Sequence, residues 1–285
     1  YVIILATSAD GNHMYIDDFS ITSYPILEQT FVSAAVEFQN GATTAKGKTR
    51  QEIIGCNIVM DGAVSAGNRS ITGMLFNTLG STNAFTDILN ARLWYTGGSS
   101  SFDTLTATQV GVYATPHLTN FNCIQASGFW TGSNSWGTLE HGDNYFWITY
   151  DIYGTATSGN CVDAEWVSFN YRVAKLGVTG ANGCNVVTVP DGTGIVPGMA
   201  AVGAGISGAA VVSSVVGNVV TFGVSGQNNT AAVNGAVNFI LTASPTPQTL
   251  AGCREIDVIY CIPSYSVGTS WLNYNTNDYI AQVVL

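Results

Sequence analysis

The residues of this sequence that could act as general bases or nucleophiles are few and far apart. The three histidines, His13, His117 and His141, fall in different predicted loops, where a solvated side chain is commoner than a general base. Serines are plentiful, but none lies in the Gly-x-Ser-x-Gly turn that exposes a nucleophile. These patterns do not predict acyl transfer.

Paired carboxylates are the remaining catalytic candidates, because glycoside hydrolysis needs two carboxyl groups that face one cleft. The available acids are Glu140, Asp143, Asp151, Asp163 and Glu165. Asp143 sits in a predicted turn and the others flank predicted strands, which favours structural roles. We therefore expect that the chain is not an enzyme.

Ligand-binding side chains form two further candidate groups. Asp10, Asp17 and Asp18 offer hard oxygen ligands for calcium, with an exposed polar strand end as the alternative; no other cofactor is implied. Tryptophans near predicted loops are candidates for stacking on sugar rings, with core packing as the alternative. They are Trp130, Trp136 and Trp271.

The cysteines point to disulfides rather than to a metal. The six are Cys56, Cys123, Cys161, Cys184, Cys253 and Cys261. None forms a CxxC pair, and no histidine lies at ligand spacing, so a zinc site is not expected. An even count in a charge-poor chain favours an oxidising compartment and two or three disulfides, with free buried thiols as the alternative. The sequence leaves the pairing open.

Composition sets the class of protein. Of 285 residues, 46% are hydrophobic and only 9% are charged, while glycine contributes 32. This mixture favours strands joined by tight turns over exposed helices. A net charge of −10 with eight scattered Lys and Arg argues against nucleic acid as a partner. No segment approaches the roughly 20 apolar residues of a membrane helix, so membrane insertion is not expected.

Short apolar runs separated by Gly, Asn, Ser and Thr predict an antiparallel β-sandwich of the Ig-like or jelly-roll type. Residues 51–166 are its centre, and alternation in the first central strand directs Cys56 inward. The other predicted strands cover 29–39, 71–76, 91–95, 109–113, 121–124, 129–131, 145–152 and 256–260.

Residues 27–170 resemble a known module. "RQEIIGCNIVMDG", "ARLWYTGGSS" and "LEHGDNYFWITYDIYGTATSGNCVDAEW" are similar to the BNR-repeat neuraminidase N-terminal domain. The resemblance implies a module of very large secreted and cell-surface bacterial proteins, many exported by a type IX system and many acting as adhesins. Trp166 departs from the pattern, which has cysteine there, so the disulfide of that position cannot form and Cys161 or Cys123 is expected to take over. The Asp boxes of a sialidase propeller are missing, so the module accompanies such enzymes without being one.

The two ends resemble parts of neighbouring modules. Residues 1–25, with "MYIDDFSI", resemble the terminal strands of a jelly-roll domain, and "YCIPSYSVGTSWLNYNTNDYIAQVV" resembles the start of a GEVED domain. We therefore expect a slice of a longer polypeptide. The ends are completed either by neighbouring domains of that polypeptide or by identical subunits through strand addition.

Between these ends the chain divides into a sandwich domain, 26–177, and a small Gly/Val-rich all-β domain, 178–243, inserted or appended. Within the small domain Gly217-Asn218 predicts a two-residue hairpin turn. Residues 244–285 comprise a linker and the start of the GEVED-like domain.

The function expected from these features is a non-catalytic structural or adhesive module on the bacterial cell surface. One alternative is a carbohydrate-binding accessory region of a secreted glycosidase, with surface glycans as partners. Another is a self-assembling filament or phage structural subunit. Asp103-Thr104-Leu105 matches the Asp-Thr-aliphatic O-glycosylation site of bacteria that carry such modules, which makes Thr104 a glycosylation candidate.

Overall fold

The structure, a computed structural model, describes residues 29–62, 69–116, 120–122, 139–208, 210–223, 228–246 and 252–257. These residues form sixteen β-strands and one short helix, so the predicted all-β class is confirmed. The predicted segments 1–25, 129–131 and 260–285 lie outside the described residues.

The first half of the chain contains β1 (Thr30–Gln39), β2 (Thr44–Ala45), β3 (Gln51–Asp61), β4 (Arg69–Asn77), α1 (Ala84–Asp87), β5 (Ile88–Tyr95), β6 (Thr108–Ala114), β7 (Phe121–Asn122) and β8 (Gly142–Ile152). The second half contains β9 (Cys161–Val162), β10 (Glu165–Gly180), β11 (Val186–Thr188), β12 (Ala200–Gly203), β13 (Val212–Val216), β14 (Val219–Phe222), β15 (Val233–Ala243) and β16 (Arg254–Asp257).

One layer of the sandwich is a five-stranded antiparallel sheet in the order β1-β3-β8-β5-β6. Its inward side chains alternate along each strand, as the sequence pattern predicts. Cys56 is wholly buried between Ile54 and Ile58 on this face, so the prediction that it points inward is confirmed.

The facing layer is built on β10, which pairs antiparallel with β4. A bulge between Trp166 and Ser168 shifts the alternation, and Trp166, Phe169 and Tyr171 are all buried. The two layers meet where Phe31 of β1 contacts Phe169 at a ring-centroid distance of 5.5 Å. Trp166, which replaces the cysteine of the resembled pattern, packs on Phe76 at 6.4 Å. The antiparallel sandwich is thereby confirmed.

The Gly/Val-rich segment continues the sheet of β10 instead of beginning after it. Strand β10 runs through the predicted boundary at 177/178 and pairs along its length with β15, while β11, β14, β13 and β12 extend the sheet. The hairpin of β13 and β14 turns at Gly217-Asn218 with a positive φ of 57° at Gly217, as predicted. We refer to β11–β15 as the small unit; its status as a separate domain stays a prediction.

Candidate functional site

The last described strand returns to the sandwich and pairs on both sides. Strand β16 lies between β2, which is parallel to it, and β9, which is antiparallel. Ile256 is wholly buried in this three-stranded sheet, and its backbone N–H donates to the carbonyl of Asn160 at 2.8 Å. We call the sheet β2-β16-β9, together with the disulfide beside it, the clasp.

A disulfide closes the clasp covalently. It joins Cys161 of β9 to Cys253, one residue before β16, with 5.5 Å between the Cα atoms and 92 positions of sequence between them. The backbone N–H of Cys161 also donates to Thr82 Oγ1 at 2.9 Å, and its carbonyl accepts from the N–H of Thr82 at 2.9 Å. The disulfide is therefore anchored to the β4–β5 connection of the sandwich.

Two other disulfide candidates are free thiols. Cys56 faces the apolar core, where burial raises the pKa of its thiol well above the usual range, and Cys184 is exposed. The remaining candidates, Cys123 and Cys261, lie outside the described residues.

Arg254 ties β16 to the start of β3. Its guanidinium donates from Nη1 to the carbonyl of Glu52 at 2.9 Å and from Nη2 to Gln51 Oε1 at 3.1 Å. Burial lowers the pKa of Arg254, and the Glu52 carboxylate opposes that shift; the same burial raises the pKa of Glu52, which Arg254 opposes. The attraction between the two charges therefore offsets part of the free-energy cost of removing each of them from water.

Asp163 lies next to the disulfide and carries the most perturbed carboxyl group of the clasp. Its Oδ1 accepts from the backbone N–H of Ala164 at 2.7 Å and from Gln39 Nε2 at 2.9 Å, and Gln39 Nε2 also donates to the carbonyl of Gly252. Burial raises the pKa of Asp163 to about 6, although both of its hydrogen bonds favour the ionised form. Gln39 thus links the sandwich, this carboxyl group and the residue before Cys253.

A second carboxylate positions the loop that enters β9. Asp87, at the end of α1, is wholly buried and accepts from the backbone N–H of Thr157 at 2.9 Å and from Asn160 Nδ2 at 2.7 Å. Since buried carboxylates are costly unless hydrogen-bonded, these contacts fix the loop that presents Cys161. The clasp is consequently held by backbone pairing, side-chain hydrogen bonds and one covalent bond.

Four of the five acids considered for glycoside hydrolysis have separate side-chain partners. Asp151 is paired with Arg92 at 2.6 Å, Asp163 belongs to the clasp, and Glu165 accepts from Asn77 Nδ2 at 2.6 Å. Asp143 accepts from Asn57 Nδ2 at 2.8 Å, and the backbone N–H of Glu140 donates to Asn144. The carboxylates of Asp143, Asp151, Asp163 and Glu165 thus each have a local structural contact, and Glu140 is held through its backbone.

The other predicted site residues are spread over the surface or lie outside the described residues. His141 is exposed and lies 4.0 Å from the exposed carboxylate of Asp61. Thr104 is half-buried in the β5–β6 connection, in a turn where Asp103 Oδ1 accepts from the N–H of Leu105. The candidates outside the described residues are His13, His117, Asp10, Asp17, Asp18, Trp130, Trp136 and Trp271.

Among the residues that the structure describes, no group of three or more His, Cys, Asp or Glu is arranged to hold a metal ion. The same residues include no helix with the length and apolar character needed to cross a membrane. Two of the three described tryptophans, Trp94 and Trp147, are buried on the outer face of the five-stranded sheet, beneath Phe102 of the β5–β6 connection.

Sequence reasoning did not single out Gln39, Asp87 or Arg254. Their partners in the clasp are 124, 73 and 202 positions away, so no local pattern marks them. Comparison of the chain with models of known protein families, and with curated proteins, gave no match.

Proposed function

We propose that this chain is a non-catalytic structural module of a long bacterial cell-surface protein, acting in extension or surface attachment. The observation that carries the proposal is the clasp. Its disulfide between Cys161 and Cys253 joins the returning strand β16 covalently to the sandwich. Among the described residues, that sandwich begins with β1.

A covalent clasp suits a module that is held at both ends and pulled. Backbone pairing of four residues in β16 could be peeled from its neighbours, whereas the bond between Cys161 and Cys253 has to be reduced before the returning chain separates from β9. Structural disulfides persist in oxidising compartments, and this supports an extracellular location.

The resemblance of residues 27–170 to the BNR-repeat neuraminidase N-terminal domain supports the same reading. That stretch corresponds to β1–β9 and the first part of β10, in which the quoted motifs form β3, β5, β8 and β9. The resemblance of 260–285 to a GEVED domain and the glycosylation of Thr104 belong to the proposal as well. Leu105, next to Thr104, is 90% exposed, which leaves room for a glycan at this turn.

Antibodies against the sandwich test the proposal on the organism that makes the protein. We expect gold label on intact cells, loss of the label after brief external proteolysis, and an immunoblot band far heavier than the 29.9 kDa of this chain. A cytoplasmic protein serves as the control that proteolysis leaves intact. Label found only after cell lysis, on a polypeptide whose cysteines are all reduced, would contradict the proposal.

The arrangement of the label separates two modes of extension. Isolated strings that carry one label per long polypeptide indicate a segment of a giant adhesin. Regular fibres labelled at each repeat indicate identical subunits that complete one another by strand addition.

A further inference from the structure

The disulfide of the clasp encloses a large part of the fold. The segment between Cys161 and Cys253 contains Val162 of β9, the whole of β10 and the small unit β11–β15. Along the covalent chain, the two ends of this segment are joined by one S–S bond, with Cα atoms 5.5 Å apart.

Tension applied along the polypeptide follows the shortest covalent route. From the N-terminal side it passes through β1–β8 to Cys161, crosses the disulfide, and leaves through Cys253 and β16. Peeling β16 away releases only four residues, and the pull then acts on Cys161, which is anchored to Thr82 of the sandwich.

Strand β10 pairs with β4, which lies outside the disulfide loop, but it also pairs with a strand inside the loop. Strands β10 and β15 pair antiparallel from Phe169 opposite Ala243 to Gly180 opposite Val233, with one register shift between Lys175 and Val178, and both ends of this pairing lie inside the disulfide loop. Buried Phe222 and Phe239 belong to the same unit.

We infer that the Cys161–Cys253 disulfide takes the enclosed segment, with the small unit, out of the path of tension. The strands before Cys161, together with β16, carry the pull, and the small unit is presented beside them on β10 without being stretched. The biological use of this arrangement rests on the proposed structural role. On a stretched protein, the small unit is then a side platform that keeps its fold.

The inference predicts a fixed length that is hidden while the disulfide is intact. A segment of 92 residues, extended at 3.3–3.6 Å per residue, spans about 300–330 Å. An oxidised chain pulled to full extension is therefore expected to be shorter than the reduced chain by about 300 Å.

Force-clamp spectroscopy on the full 285-residue chain, placed between two marker domains, measures this length. The oxidised chain is unfolded and held at constant force, and a phosphine reductant is then added. After the reductant is added, we expect the held chain to lengthen by a total of about 300 Å. Cys184→Ser, which removes an exposed free thiol, is expected to keep this extension.

The Cys161→Ser/Cys253→Ser variant is expected to reach the full length at once and to show no response to reductant. This holds whether or not the variant folds, because only the extended chain is measured. An oxidised wild-type chain that reaches full length without reductant, or a double variant that still gains about 300 Å, would overturn the inference. Neither result depends on where the protein resides in the cell, so a failure here is distinct from a failure of the proposed function.

Discussion

Trp147 of β8 lies directly over Gly55 of β3 on the outer face of the five-stranded sheet. A Cβ atom at Gly55 would lie 2.6 Å from Trp147 Cζ3 and 3.0 Å from Phe38 Cδ2. Phe38, Gly55 and Trp147 are opposite one another on β1, β3 and β8, and the two rings stack at a centroid distance of 5.3 Å above the glycine. Glycine in a strand interior marks such a close approach, and here it makes room for two aromatic rings.

Gly55→Ala is expected to destabilise the fold by about 1–3 kcal/mol, because the added methyl group forces both rings away from their packed positions. Urea denaturation followed by tryptophan fluorescence measures the free energy of unfolding. Gly41→Ala is the matched control, since a Cβ atom at Gly41 has no heavy atom within 4 Å and Gly41 is exposed. Similar losses for the two variants would contradict the packing argument.

Much of the sandwich could be predicted because most of its strands have a recognisable local sequence pattern. Alternation in β3 and β8 places Cys56 and Ile148 inward, and the Gly217-Asn218 turn defines the hairpin of β13 and β14. The two-residue strand β2 has no such pattern. Its pairing with β16 brings together Thr44 and Ile256, and only the folded chain reveals that contact.

Asp163→Asn is expected to stabilise the protein at neutral pH. Burial raises the pKa of Asp163 from its usual 3.8 to about 6, so the folded state binds the proton more tightly than the unfolded state does. The contribution of Asp163 to the free energy of unfolding is therefore fully present below about pH 4 and is lost as the pH rises through about 6. Asparagine keeps the acceptor oxygen for Gln39 and Ala164 without the charge.

The expected gain of Asp163→Asn above pH 6, relative to its value at pH 4, is about 1 kcal/mol once the partial exposure of the carboxyl group is discounted. Thermal unfolding of both proteins across pH 4–8 measures it. Glu255→Gln, which removes a carboxylate at an exposed position of the clasp, is the control, and the gain should be specific to Asp163→Asn. A wild-type protein that outperforms the variant increasingly as the pH rises would reverse the sign and exclude this assignment.

Arg92→Met is expected to cost about 2–4 kcal/mol at pH 7, because it leaves the buried carboxylate of Asp151 without its cation. Asp151 is 2% exposed in its side chain and accepts from Arg92 Nε and Nη2 as well as from Asn90. Burial raises the pKa of Asp151, but Arg92, Asn90 and the backbone N–H of Arg50 outweigh it and leave the pKa below its usual value.

The pH dependence of Arg92→Met follows from that lowered pKa. The stabilisation by Asp151 is present above its unfolded-state pKa and is lost as the pH falls through the folded-state pKa, so the variant and the wild type should converge in acid. Arg172→Met, whose Nε donates to the neutral Ser70 Oγ at 3.1 Å, is the matched control with a smaller loss. Equal losses for both arginines at every pH would argue against the ion pair as the cause.

The clasp could be predicted only in part. The sequence singles out Cys161, Asp163 and Cys253 as candidates, but spacing does not say which cysteine pairs with which. The pairing depends on β16 returning across the chain to β9, and Gln39 and Arg254 gain their roles only through that return. Because the clasp is assembled from contacts between distant segments, no local sequence motif predicts it.

The cysteines provide a direct chemical test of this arrangement. Under native conditions iodoacetamide is expected to label Cys184, which is exposed, and to spare Cys56 until the protein unfolds. Burial excludes the reagent from Cys56 and raises the pKa of its thiol, and the thiolate is the reactive form. Cys161 and Cys253 should remain unlabelled even in denaturant until a reductant is added.

Mass spectrometry of the digested protein assigns each label to its own cysteine, and Cys184→Ser is the control that should abolish native labelling at that position. The Cys161-containing peptide should be recovered joined to the peptide that contains Cys253. Native labelling of Cys56, or a disulfide that joins Cys184 to another cysteine, would be incompatible with the buried and exposed thiols of this fold. A joined Cys161–Cys253 peptide would establish the bond on which the clasp and the diversion of tension both depend.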